Sequence, residues 1–163
     1  MKAPRRREEP GERALFDELA ALYTEVDARL ASSSCPASTE CCRFGVTGRE
    51  PYVTSVELAY LERAIARAGG RTPASTGRGA KPLPLAHVRD ERTCPLLKAD
   101  ARCAAYAARP FGCRTFFCDR ATELDPIDQQ ETNAFVRRIQ QIAARHRPGG
   151  DRGRPLTRAL ASG

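Results

Sequence analysis

The chain has 163 residues, 41% hydrophobic and 6% aromatic, with no tryptophan and a formal charge of +7. That length allows one compact domain with a modest core, and the absence of any run of 18 apolar residues excludes a membrane-spanning helix. The charge comes almost wholly from arginine, since Lys2, Lys81 and Lys98 are the only lysines; no aromatic-basic motif, zinc-finger spacing or helix-turn-helix pattern accompanies it, so nucleic acid is not the expected partner.

Residues 1–10 read as a disordered basic arm. They carry charge but no apolar stretch, so they do not form a secretory signal, and a reducing cytoplasmic setting is expected. From Glu12 to Ala31 the apolar residues Leu15, Phe16, Leu19, Leu22, Tyr23, Val26 and Leu30 recur at three and four, which predicts a helix with one buried face. Three serines at 32–34 end it and deliver the chain to Cys35. A second helix is predicted over 54–68, with Thr54 as N-cap, Glu57 three residues later, a buried stripe of Leu58, Leu61 and Ile65, and a stop at Gly69 and Gly70.

Residues 71–84 combine glycine, proline and small polar side chains and predict a flexible loop. Leu85 and Val88 before the polar stretch 90–93, with Pro95, Leu96 and Leu97 after it, predict a short hairpin over 85–97. A brief helix over 103–108 should stop where Arg109 precedes Pro110. A third long helix is expected from Pro126 to His146, with Asp125 as N-cap and Ile127, Phe135, Ile139 and Ile142 inward. The expected organisation is thus a single domain over 11–147, with 148–163 as a loose tail. Its fold class is mainly α: a small irregular helical domain in which a short hairpin and cysteine-bearing loops surround a metal site.

Seven cysteines fall in two regions, Cys35, Cys41 and Cys42 in one loop, and Cys94, Cys103, Cys113 and Cys118 further on. In a reducing compartment such a set points to metal binding or catalysis rather than disulfides, and the odd count suits a full disulfide framework poorly. Thiolates favour zinc and the irons of an iron-sulfur cluster, because these ions take soft sulfur ligands in tetrahedral array. Neither paired C-x-x-C knuckles nor a ferredoxin run occurs, so the spacing leaves the two open. Adjacent Cys41 and Cys42 would point apart in extended backbone, which predicts that only one of them is a ligand. Four thiolates around a dipositive centre leave negative charge that Arg43, Arg102, Arg109, Arg114 and Arg120 can offset. His87 is read as a strand residue outside the ligand set, and His146 as a favourable cation at a helix C-terminus.

The segment CPASTECC at 35–42, then CPLL at 94–97 and CAAYAARPFGCR at 103–114, resembles the YkgJ-type cysteine-cluster family, a zinc- or iron-chelating domain. The resemblance covers about residues 33–120. It rests chiefly on Cys94, Cys103, Tyr106, Arg109, Pro110, Cys113 and Arg114, while Ser38 stands where the opening C-x-x-C-x-x-C-C signature has its second cysteine. The resemblance implies Cys35, Cys41, Cys42, Cys94, Cys103 and Cys113 as metal ligands, with Cys118 as the candidate to supply the thiolate missing at Ser38. Tyr106, three residues after Cys103, is expected to pack over the site or donate to a sulfur. Arg109 and Arg114 are expected to hold sulfur charge or to tie loops through carboxylates.

Three functional classes follow: a metal-binding protein with a structural or electron-transfer role, a component or enzyme of a redox or protein-modification reaction, and a redox-sensing protein whose basic surface meets an acidic protein partner. No P-loop, dinucleotide-binding turn or paired-carboxylate motif accompanies the cysteines, and no residue is assigned a catalytic role.

Overall fold

Helix α1 (Pro10–Arg29) begins with proline, whose missing N–H costs nothing in a first turn, two residues before the apolar spacing demanded a helix. The computed structural model describes residues 10–31, 39–69, 92–115, 127–148 and 151–161. Within them follow α2 (Phe44–Thr47), strand β1 (Tyr52–Val53), α3 (Ser55–Arg67), α4 (Phe111–Arg114), α5 (Gln129–His146), strand β2 (Arg154–Pro155) and α6 (Leu156–Ala161). The protein is mainly helical, as the periodicity predicts. None of the described helices is long and apolar enough to cross a membrane. The arm at 1–9 and the loop at 71–84 lie outside the described residues.

Helix α3 keeps its predicted N-cap: the Thr54 N–H and hydroxyl both donate to Glu57 Oε2 at 2.9 Å. Helix α5 starts three residues later than expected. Asp128 is its N-cap, accepting from the Glu131 N–H at 2.7 Å while its own N–H donates to Glu131. The Asp128–Glu131 capping box satisfies orphan donors in both directions, an advantage that Asp125 followed by proline lacks.

The core has two halves with α3 as their common wall. On one side Phe16, Leu19, Leu22, Tyr23 and Val26 of α1 pack with Val56, Phe111, Ile139, Ile142 and Ala143. Arginines clasp the exposed edges of α1 and α5: Arg145 meets Glu18, Arg138 meets Glu25, and Arg29 meets Glu131. The order of these pairs runs oppositely along the two helices, so they are antiparallel. Exposed pairs of this kind add little stability but favour one register, and they engage three of the chain's arginines.

On the other side of α3, Leu58, Leu61 and Ile65 pack with Phe44, Val53, Leu96, Ala105, Ala108, Leu156 and Leu160. The C-terminal segment is therefore not a loose tail. Strand β2 pairs antiparallel with β1, Tyr52 opposite Pro155 and Val53 opposite Arg154, and α6 follows at once. Leu156, Ala159 and Leu160 recur at three and four, the same spacing that marks the longer helices, and six residues suffice here because packing supplies what helix propensity does not.

Asp151 closes the other end of this return. Its carboxylate accepts from the Ser55 N–H, in the first turn of α3, and from the Gly153 N–H at 3.0 Å. Burial alone would raise this carboxyl, but the bonds from Ser55 and Gly153 and the charge of Arg147 outweigh it and hold the group below its usual range. A carboxyl depressed in the folded state stabilises above its unfolded value and loses that contribution as pH falls through the folded one. The stability advantage of the natural chain over Asp151→Asn is therefore expected to be full above pH about 4 and to vanish under stronger acid. Urea midpoints of the two proteins across that range check it, and a gap that does not change with pH would assign the effect to something other than the carboxylate.

Candidate metal centre

The first cysteine loop is shaped by a backbone reversal. Thr39 adopts a left-handed conformation, φ 61°, and a 3₁₀ turn over Glu40–Cys42 follows. The turn removes the premise that Cys41 and Cys42 point apart. Successive side chains diverge in extended backbone, but on this turn the two sulfurs lie 3.9 Å apart in a mutual hydrogen bond. Both are half-buried.

A short antiparallel contact then brings the second region alongside. Arg43 bridges Thr93, the Phe44 N–H donates to the Arg92 carbonyl at 2.9 Å, and the Cys94 N–H donates to the Cys42 carbonyl at 2.7 Å. Of the hairpin expected over 85–97, only the second half is described. It pairs with the first cysteine loop, while 85–91 lie outside the described residues. The reversal sits further along: Leu97 bridges Cys103, the Ala104 N–H donates to the Leu96 carbonyl at 2.8 Å, and the turn is made by residues 98–102 with Ala101 at φ 61°. Proline at 95 is accommodated because it precedes the bridged residue.

The chain continues through a 3₁₀ turn, Tyr106–Ala108, to Arg109 in extended conformation, as the following proline requires. Pro110 is the N-cap of α4, and its carbonyl accepts from the Cys113 N–H at 2.9 Å. Proline thus ends one turn and starts the next, which aims Cys113 back at the core. The close approach has a second cause at Gly112, where a Cβ would lie 2.8 Å from Cβ of Pro51.

Cys94 is buried in the α3–α6 half of the core, and Cys42, Cys103 and Cys113 pack against that same cluster. Five thiols share one electrostatic neighbourhood. Burial pushes Cys113 far up, helped by charge on Cys103, Cys42 and Cys41, while Arg109 opposes the shift. For Cys42 the bond with Cys41 favours the thiolate, but the bond with Cys94, burial and charge on Cys94 and Cys103 prevail, and it is pushed up to about 11. Cys41 is raised through its bond to Cys42, then by burial. Cys103 is raised by burial, with Arg109 and Lys98 among the groups opposing it. Such thiols hold their protons near neutrality, the opposite of what an activated cysteine nucleophile needs.

The two arginines expected at the site divide the expected tasks. Arg109 faces the sulfurs, favouring the thiolate form of Cys41, Cys103 and Cys113. Its guanidinium stacks 3.8 Å over the ring of Tyr106, and its buried Nε has no acceptor among the described residues. Arg114 turns the other way, donating to the carbonyls of Arg109 and Ala107 and to the Asp27 carboxylate, so it ties loops. Tyr106 is 59% exposed and braces Arg109. Cys35, Cys118, Arg120 and His87 lie outside the described residues. His146 stays clear of the thiols, bonded to Ser55 Oγ at 2.9 Å.

The chain matches no family model, no curated protein and no solved structure. Among the described residues no three Cys, His, Asp or Glu side chains are already disposed around one point as metal ligands. The donor chemistry nevertheless suits a thiophilic ion: the converging groups are all sulfur, and an N–H of Arg109 lacks the acceptor that a metal-bound thiolate would supply.

Glu57, Tyr23 and Asp27 were not singled out as site residues in the sequence, yet they hold the segment that carries Cys113. Tyr23 reads there as one more apolar-stripe residue and Glu57 as a capping residue alone. The available signal was a carboxylate on a helix turn whose flanking residues, Val56 and Leu58, are both core-forming.

Proposed function

We propose that this chain is a metal-binding cysteine-cluster protein in which Cys42, Cys94, Cys103 and Cys113 hold zinc or the irons of an iron-sulfur cluster. The role is structural or electron-transferring. The observation that carries this reading is the convergence of thiols from two segments some 50 residues apart in sequence onto one side of the core, with Arg109 turned toward them. Cys41 lies beside Cys42 and is the nearest described reserve ligand; Cys35 and Cys118 complete the candidate set. The resemblance to the YkgJ-type cysteine-cluster family supports the same reading.

A bound ion would supply the positive charge that offsets a set of thiolates. The chain's own residues would do the rest. Cys42, Cys94, Cys103 and Cys113 would hold the ion as thiolates, their protons passing to solvent, and Arg109 would offset part of the remaining negative charge while its Nε would gain an acceptor. Anaerobic purification followed by metal analysis and an optical spectrum tests this. A brown protein with iron and acid-labile sulfide means a cluster, and a colourless one with stoichiometric zinc means a zinc site. Folded protein without metal, unable to take up either, defeats the proposal.

The Cys41–Cys42 contact favours a second reading, slow thiol redox sensing, in which the two sulfurs are paired by proximity rather than activated as thiolates. An oxidised small-molecule disulfide would close an intramolecular disulfide in folded, metal-free chain, and peptide mapping by mass spectrometry finds it or does not.

A further inference from the structure

Glu57 is a carboxylate solvated by protein groups in place of water. It is 3% exposed, and among the described residues its hydrogen-bond donors are backbone N–H and hydroxyl groups rather than lysine or arginine. Oε2 accepts from the Thr54 N–H and hydroxyl, and Oε1 accepts from the Tyr23 hydroxyl and the Phe111 N–H, each at 2.9 Å. An ionised carboxylate has only acceptors to offer, and here it meets four donors.

Two of the four concern α3's own N-terminus. The other two reach across the molecule. Tyr23 belongs to α1, 34 residues away, and Phe111 opens α4, 54 residues away and two before Cys113. The Phe111 N–H is one of the orphan donors at the start of a four-residue helix, and nothing in so short a helix fixes its orientation except such outside contacts. Tyr23 keeps its proton, because burial and the Glu57 charge both push its hydroxyl up, so it remains a donor.

We propose that Glu57, with Tyr23 as its partner, is a positioning residue for the thiol site: it grips α4 by the Phe111 N–H and so aims Cys113 at Cys42 and Cys103. The consequence for bound metal rests on the metal-centre reading, whereas the consequence for the Cys113 thiol does not. Glu57→Gln is the sharp variant. Its amide puts a donor where a carboxylate oxygen accepts, so either the Thr54 pair or the Tyr23–Phe111 pair is left facing N–H with N–H or O–H. Tyr23→Phe removes one donor of the four and leaves the Phe111 bond in place but less constrained.

The experiment uses the full chain in two states. In the metal-free reduced protein, iodoacetamide labelling is followed residue by residue by peptide mass, with Cys94 as internal reference because it is the buried one among the described cysteines. Glu57→Gln is expected to retain helical circular dichroism and a cooperative melt while Cys113 labels about 10-fold faster relative to Cys94, with a smaller change of the same sign in Tyr23→Phe. In a cobalt(II) titration read by thiolate-to-metal absorption, Glu57→Gln is expected to bind about 10- to 100-fold more weakly, with altered ligand-field bands. A folded Glu57→Gln whose Cys113-to-Cys94 labelling ratio equals that of the natural chain overturns the proposal. Should Glu57→Gln fail to fold, Tyr23→Phe decides by the same ratio. Should the natural chain take up no cobalt, zinc or iron, the metal-centre reading falls and the labelling ratio still decides the role of Glu57.

Discussion

Arg114→Met is expected to lower the stability of the chain by about 2–4 kcal/mol, read as a fall in the urea midpoint at unchanged slope. Arg114 is 4% exposed, and methionine has nearly the same reach, so the apolar contacts of the stem are largely kept. What is lost is polar. Nε donates to the Arg109 carbonyl at 2.8 Å, Nη2 to the Ala107 carbonyl at 2.6 Å, and Nη1 to Asp27 on α1. The guanidinium also stacks 4.2 Å over the Tyr23 ring. The Asp27 side chain is 55% exposed and returns to water, so its loss contributes little. The two carbonyls are another matter, since they belong to the middle of the Tyr106–Ala108 turn and to Arg109 just after it, where no long helix or strand offers a replacement donor.

Removing a buried cation also removes its desolvation cost, which keeps the expected loss below the sum of three charge-assisted bonds. Arg114→Lys should recover only part of it, because an ammonium cannot serve three acceptors in the plane that a guanidinium spans. A midpoint for Arg114→Met within about 0.5 kcal/mol of the natural chain would show that Arg114 is not the pin of this loop.

The contrast between Arg109 and Arg114 shows where sequence reasoning ran out. Both stand at motif positions beside a cysteine, and residue type alone assigned each the same pair of roles. The choice depended on which way Pro110 turned the chain between them, and on an aspartate 87 residues earlier. The helices were legible because their periodicity is local: α1 and α3 fall within two residues of their expected limits, and α3 keeps its Thr54–Glu57 cap. The start of α5 was misplaced by competition between two aspartates, Asp125 and Asp128, of which only the second has a glutamate three residues on. The grouping of the cysteines was legible by count and chemistry. That the two groups should meet was expected from the same chemistry; the route by which they meet was not legible, because it is made by bridges, Arg43 to Thr93 and Leu97 to Cys103, each too short to leave a strand pattern.

Ending the chain after Pro155 is expected to abolish cooperative folding. Such a chain keeps β2 and the Asp151 cap but loses α6, whose Leu156 and Leu160 are each 1% exposed and whose Ala159 is fully buried. A single buried leucine cut back to alanine costs about 2–5 kcal/mol, and removing two entirely costs more than twice the lower figure. Domains of this size hold only about 5–15 kcal/mol in total. The junction is tied as well as packed: the Leu156 N–H donates to the Pro51 carbonyl at 3.0 Å, and the Glu50 carboxylate accepts from the Thr157 N–H at 2.7 Å and its hydroxyl at 2.6 Å. These bonds satisfy donors at the start of α6 and connect it to the strand leading into α3. The cluster that α6 completes is the one against which Cys42, Cys103 and Cys113 pack, so its loss should open the thiols as well. In the shortened chain a thiol reagent should titrate the cysteines as fast as in urea, and far-ultraviolet circular dichroism should show no cooperative melt. Leu160→Ala in the full chain, which should still fold, gives the graded version: a midpoint shift of about 2–5 kcal/mol with slower but measurable thiol opening. A shortened chain that melts as the full one does would return residues 156–161 to the status of a loose tail, and with it the α3–α6 half of the core would lose its closing wall.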